Sequence, residues 1–373
     1  MKKALFAVPL SLALLLAGCG TTTTDTGGGT DTGTGGDPIS TGTAAEVVTA
    51  ANAFLATLST GQQSSVVLTR TESNSTTWSN LPVGAATRNG LALSSLTETQ
   101  RAAALAVVKA ATGTAANEGY DETTQLLAAD DVLAGSQSGY GSGLYYLAFL
   151  NTPSTTGQWQ LQFGGHHLAY NITYNAGAVT GATPKFTGIE PKCWSVTGST
   201  VNVITSGCPA PGTSGSTTTY APLYQEQQGM VNMLAGLSST QLASAKLSQT
   251  FSDVLLGPGE DGQFPSTKSG LAVSGLSADQ KALVLAAIKP WVQDVDDTTA
   301  AALLGIYENE LDSTYIAYSG STGLTSTADY VRIDGPSVWI EFVCQNGIVY
   351  RSQIHYHTVW RDHTRDYGAS FSF

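Results

Sequence analysis

The chain has 373 residues, 42% hydrophobic and 12% charged, with a formal net charge of −12 and five histidines. An acidic chain without a basic cluster argues against nucleic acid and against binding anionic lipid surfaces, and it suits simple solubility in an exported protein. Roughly 330 residues follow an N-terminal stretch of low complexity, enough for two domains or one large duplicated domain.

Lys2-Lys3 and the apolar run Ala4 to Ala17 have the form of a bacterial export signal, too short for a membrane span. The run closes in Leu16-Ala17-Gly18-Cys19, which resembles the lipobox of bacterial lipoproteins. That resemblance implies removal of residues 1–18 and lipid attachment at Cys19, so that the bilayer of the cell envelope becomes a partner. A plain secretory signal ending in Cys is the other reading. Gly20 in the next position suits sorting across a periplasm to an outer membrane, where the cell has one. Residues 19–42, rich in Thr, Gly and Asp, cannot bury enough apolar surface to order themselves and read as a flexible tether.

From residue 43 onward the sequence reads as one duplicated domain. Leu55-Ala-Thr-Leu-Ser-Thr-Gly-Gln62 returns as Leu234-Ala-Gly-Leu-Ser-Ser-Thr-Gln241. Gly90-Leu-Ala-Leu-Ser-Ser-Leu-Thr-Glu-Thr-Gln-Arg101 returns as Gly270-Leu-Ala-Val-Ser-Gly-Leu-Ser-Ala-Asp-Gln-Lys281. Each half holds two capping-box spacings: Ser59/Gln62 and Thr97/Gln100, then Ser238/Gln241 and Ser277/Gln280. Helices should follow each box, including Gln100 to Ala111 and Gln280 to Val292. Thr43 with Glu46 predicts another box ahead of a helix over Val47 to Leu58.

Strands come next in each half. Trp159 to Ile172 and Asp329 to Phe342 both alternate apolar and polar residues about a central Gly, as two strands meeting at a tight turn do. Tyr145–Phe149 and Tyr315–Tyr318 read as the strands before them. The expected fold is therefore α+β: a single large duplicated domain, each half helices followed by an antiparallel hairpin or small sheet. The halves span about 43–180 and 222–345, and a His-rich segment, 346–373, completes the chain.

Histidine concentrates at two places. His166-His167 occupies the turn of the first hairpin, where the second half carries Pro336-Ser337. His355-Tyr356-His357 lies on a strand-like run, so its two imidazoles point the same way about 7 Å apart. His167, His355 and His357 form the core of a candidate metal site, with His166 a fourth ligand or a hydrogen-bonding partner. His363, in a charged loop, reads as solvated. Asp362 and Asp366 could orient the imidazoles through their second nitrogens. Arg361 or Arg365 could grip a carboxylate or phosphate, or simply close a salt-bridged loop. Glu190 is a candidate carboxylate ligand or general base. Glu341 and Arg332 face one another across the second hairpin and could pair. Cys193 and Cys208 are the natural disulfide pair in an exported chain, worth about 3 kcal/mol by loop closure, and Cys344 reads as a buried free thiol.

Phe163-Gly-Gly-His-His-Leu168, Phe186-Thr-Gly-Ile-Glu-Pro191, Tyr330-Val-Arg-Ile-Asp-Gly-Pro336 and the ending His355-Tyr-His-Thr-Val-Trp-Arg-Asp362 with Asp366-Tyr-Gly368 together resemble the bacterial and fungal family catalogued as domain of unknown function 3500. The likeness spans nearly everything after the tether. It departs at His363, where proline is expected, and in the Cys193–Cys208 insertion. It implies one whole domain and brings no established activity.

Function then rests on the residues. Three imidazoles with an open position suit a divalent transition metal, zinc or copper. Zinc so held lowers the pKa of a bound water, and with Glu190 or Asp362 assisting and Arg361 nearby the protein would be a metal-dependent hydrolase. Copper would suit an oxidoreductase acting on a small organic molecule. The alternatives are a protein that binds metal or a small ligand without turnover, and a structural envelope protein.

Overall fold

The computed structural model describes residues 36–373. The export signal, Cys19 and the first part of the tether lie outside the described residues. Residues 36–42 do not behave as tether. Gly36 N–H donates to the Gly368 carbonyl at 2.8 Å, and Ile39 and Ser40 exchange backbone hydrogen bonds with Val179. A strand edge offers unpaired N–H and C=O groups, and this extended segment takes them up while Ile39 packs on the core.

Among the described residues, nine α-helices accompany a mixed sheet of twelve strands and a separate antiparallel sheet of four. The longer helices are α1 (Ala44–Ala56), α2 (Glu98–Ala111), α3 (Gly119–Ala134), α4 (Tyr224–Ala235), α5 (Ala278–Val292) and α6 (Asp297–Asn309). All four Ser/Thr–Gln boxes form, each hydroxyl accepting from the Gln backbone and each Gln side chain reaching back. Thr43 does precede α1, but its hydroxyl donates to the Ala110 carbonyl at 2.5 Å and makes no cap. Tertiary packing against α2 has taken the group that the local motif would have used.

Eight longer strands build the main sheet: β1 (Tyr146–Leu150), β2 (Trp159–Gly165), β3 (Leu168–Asn175), β4 (Lys185–Ile189), β5 (Tyr315–Ser319), β6 (Tyr330–Asp334), β7 (Val338–Asn346) and β8 (Ile354–Asp362). Their order is β1-β2-β3-β4-β8-β7-β6-β5. Each of these neighbours runs antiparallel, and the short strand Val67–Leu68 adds a parallel edge beside β1.

The two hairpins of the sequence reading are thus not separate small sheets. β4 and β8 pair from Lys185↔Trp360 to Ile189↔Tyr356 and fuse them. Two apolar hairpins with open edges join because unpaired edges are costly to leave exposed. The His-rich segment is no appendage, since β8 is the central strand. Beside it the ladder is thin. β3 meets β4 only at Leu168↔Thr187 and Ala169↔Phe186, then turns away to pair with Ala178–Gly181.

Alternation along β8 separates two environments. Thr358 and Asp362 face the helices, accepting from Trp291 of α5 and Tyr307 of α6. His355, His357, Val359 and Arg361 face the opposite side, covered by irregular segments around residues 69–90 and 247–264. There Asp253 meets His357, and the carbonyls of Leu256 and Gly257 meet Arg361. Cys193 and Cys208 are joined, with Cα atoms 5.9 Å apart, and Cys344 is a buried free thiol.

Candidate metal centre

The His166-His167 turn is built by small residues. Gly165 leaves room for the Tyr145 ring, which a Cβ would meet at 2.6 Å, and Tyr145 donates to the His166 carbonyl at 2.5 Å. His167 takes a left-handed φ of 64°, uncommon for a residue with a side chain. Its N–H donates to Asn80 and its carbonyl accepts from Gly188 at 2.7 Å, so the strained turn is pinned from both sides. That left-handed step lets neighbours that would diverge in a regular strand stack instead, with ring centroids 3.7 Å apart.

β8 supplies the other two imidazoles. His357 Nε2 lies 3.1 Å from His355 Nε2 and 3.2 Å from His167 Nε2. Gly188, opposite His357 in β4, makes this approach possible. A Cβ there would come within 3.0 Å of the His167 ring and 3.1 Å of the His357 ring. Three buried ring nitrogens thus converge, and the triad could hold a metal ion.

The donor set fits an ion better than it fits three imidazoles alone. His357 Nδ1 lies 3.0 Å from Asp253, an acceptor, so Nδ1 carries the hydrogen and Nε2 presents a lone pair to the cluster. One lone pair then faces two neighbouring Nε2 atoms. A tetrahedral ion bound at 2.0–2.1 Å would place ligand nitrogens about 3.3 Å apart, close to the spacing here.

Protonation is also opposed. Burial, then the neighbouring imidazoles, holds His167 well below its ordinary pKa, and burial with His357 brings His355 down to about 3. His355 Nδ1 has no well-formed hydrogen bond, although the Asn346 backbone lies close enough to favour its protonated form slightly. Neutral imidazole is the form that ligates.

A family model described as protein of unknown function, DUF3500, matches residues 40–369. The chain belongs to the DUF3500 family. Neither a curated protein nor a solved structure matches it.

Around the triad of this DUF3500 chain the surroundings differ from those read in its sequence. His166 turns its Nδ1 to Asp130 at 2.7 Å and lies edge-on to Tyr140, outside the convergent three. The imidazole-orienting carboxylate is Asp253, whose charged form is opposed by burial but held below the usual range by His357. Asp362 does not play that part. It points to the helix face, accepting from Tyr307 and from Thr364. Asp366 receives the Asp362 N–H and Arg361.

Arg361 does share the histidine face, but it sits four residues along the strand, about 13 Å from His357. Its donors are taken by Leu256, Gly257, Asp261 and Asp366. The closed-loop reading describes it, with the guanidinium fully buried among these partners. His363 is not solvated: it packs on Phe264 and approaches Asp334 at 3.3 Å. Glu341 and Arg332 do face one another, yet Glu341 accepts from Tyr330, Trp339, Leu255 and Leu256 while Arg332 lies over the Trp339 ring.

Glu190 follows Ile189, the last paired residue of β4, whose partner Tyr356 adjoins His355. Its Oε1 accepts from Val349 and Tyr350, at 2.9 and 2.7 Å, and its buried Oε2 has no hydrogen-bond partner among the described residues. Its charge, with that of Asp130, helps burial raise the pKa of Tyr140. Tyr140 and Asp253 escape sequence reasoning because both lie in aperiodic loops, where no spacing points at a strand elsewhere in the chain.

Proposed function

We propose that this protein holds one divalent transition-metal ion in a three-histidine centre formed by His167, His355 and His357. The observation that carries this reading is the convergence of three Nε2 atoms beside Gly188, with Asp253 fixing the tautomer of the middle imidazole. Zinc and copper both suit three imidazoles, and an ion so bound with a free position supplies Lewis acidity. The test is metal analysis of untagged protein together with titration by Zn²⁺, Cu²⁺ and Co²⁺. One ion per chain, lost in His357→Ala, is expected. Failure to retain any of the three ions would end the proposal.

A catalytic role, as a metal-dependent hydrolase, is the second reading, favoured by the unpartnered Oε2 of Glu190. In that reading Glu190 accepts a proton at Oε2, while Val349 and Tyr350 hold its Oε1. Glu190→Gln should then abolish turnover of a hydrolysable substrate while leaving metal content intact. Simple metal binding would leave no turnover to abolish.

We further infer that the chain is an envelope lipoprotein anchored at Cys19, on the strength of Leu16-Ala17-Gly18-Cys19. Its two halves descend from one duplicated unit, a reading supported by the repeated Ser/Thr–Gln boxes and by a common order of helices and strands in each half. Labelled palmitate incorporation that survives Cys19→Ser would exclude the anchor.

A further inference from the structure

On the helix face of the sheet, away from the imidazoles, lies a second polar cluster that the centre above does not use. Glu118 precedes α3 and Glu122 lies in its first turn; Glu226 lies in the first turn of α4, and Asp294 follows α5. All four are buried, with exposures of 2% or less. Among the described residues the one cation beside them is Lys185 of β4, which bonds Asp294 and lies 3.5 Å from Glu122.

Four carboxylates against one ammonium leave a large deficit of positive charge in a buried region. Buried charge of this kind must be paired, protonated or bound to a metal. The hydrogen bonds present do not resolve the deficit. Asp294 accepts from Gly119 and Lys185, but among the described residues both oxygens of Glu226, Oε1 of Glu122 and Oε2 of Glu118 are buried without a hydrogen-bond partner, and Oε2 of Glu122 has only the Lys185 ammonium at 3.5 Å. One carboxylate oxygen each from Glu118, Glu226 and Asp294 lie within 4.8 Å of one another.

We propose that Glu118, Glu226 and Asp294 bind a calcium ion, with Glu122 beside them as a further oxygen donor. An all-oxygen set excludes the softer metals that imidazole or thiolate would select. Calcium takes oxygens at 2.3–2.6 Å, so opposed ligands stand about 5 Å apart, whereas magnesium demands a tighter octahedron and keeps its waters. The ion would bind α3 of the first half to α4 and α5 of the second. Burial and mutual repulsion raise Glu118 and Glu122 well above ordinary carboxyl values and Glu226 to about 8, so protons are the competitor for the same oxygens.

The experiment uses purified protein dialysed against EGTA, followed by calcium analysis, thermal unfolding with and without Ca²⁺, and Tb³⁺ luminescence. One calcium per chain is expected, with a rise of several degrees in melting temperature on adding Ca²⁺. Tyrosine-sensitised Tb³⁺ emission, displaced by Ca²⁺, should accompany it. Glu226→Gln should abolish all three effects, and His355→Ala/His357→Ala should leave them intact. Superimposable melting curves in EGTA and Ca²⁺, with no calcium retained by the native sequence, would overturn the proposal and assign the cluster to shared protons. Effects that persist in folded Glu226→Gln would overturn it as well. Should that variant fail to fold, the native protein's calcium content and melting curves decide alone.

Discussion

At the scale of single residues the metal centre depends on what is missing from Gly188 as much as on the imidazoles. Gly188→Ala would press a methyl group against the His167 and His357 rings and the Tyr356 carbonyl. The expected cost is about 1–3 kcal/mol of stability from overpacking, with a clear loss of metal affinity in competition with a chromophoric chelator. Asp253→Asn should act differently, weakening metal binding about 10–100-fold by loosening the His357 tautomer while leaving the fold intact. Acid should unfold the metal-free protein early. His355 titrates near its ordinary value of about 6.5 in the unfolded chain but at about 3 in the fold. The unfolded state therefore takes up the proton first, and stability present above pH 6.5 falls as pH drops towards 3. Denaturant titrations at pH 7, 5 and 4 should show decreasing midpoints, and an unchanged midpoint would contradict the buried neutral imidazole. The pairing of His355 with His357 was legible from strand alternation alone. Asp253 was not, because its loop has no period that could align it with β8.

Among elements, β8 shows how one strand serves two environments. Its even-numbered residues Tyr356, Thr358 and Trp360 join the helical core, while the odd-numbered ones carry the imidazoles and then Arg361. Arg361 holds the C-terminal turn to the loop at 256–261, and burial of its charge is offset chiefly by Asp366 and Asp261. Arg361→Ala should cost about 3–5 kcal/mol, since it strands buried carboxylates, yet leave metal stoichiometry unchanged in the fraction that folds. A variant that folds normally but loses metal would return Arg361 to the site. The capping boxes were readable because their chemistry is local: four residues satisfy one another within a single turn. Thr43 shows the limit of such reasoning, because α2 offered its hydroxyl a better acceptor. The acidic cluster was hidden for a related reason. Carboxylates in first helical turns read as ordinary partners of the helix dipole, and only the meeting of the start of α3 with the start of α4 and the end of α5 reveals them as buried neighbours.

For the molecule as a whole, the joining of β4 to β8 decides cooperativity. Residues 36–222 carry His167 and β4, residues 223–373 carry His355, His357 and β8, and each of these strands would be an open edge alone. Fragments 36–222 and 223–373 should therefore each be poorly folded and retain no transition metal, whereas co-expression should restore both properties. Stable metal-binding behaviour in either fragment would refute a shared centre. The hairpins could be read from sequence, but their fusion could not, because edge-to-edge pairing between residues 170 positions apart leaves no local trace.

The thin junction beside the histidine turn has its own implication. Where β3 parts from β4 after two paired positions, the sheet forks, and His167 stands just ahead of those two positions, at the root of the β3 prong, with its carbonyl held by Gly188. Few bonds need to yield there for one prong to swing, so ion entry can proceed by a local breath that leaves the rest of the sheet closed. The Gly188 amide would be the sentinel of that motion, exchanging its hydrogen readily in stripped protein and slowly once an ion clamps the prongs together.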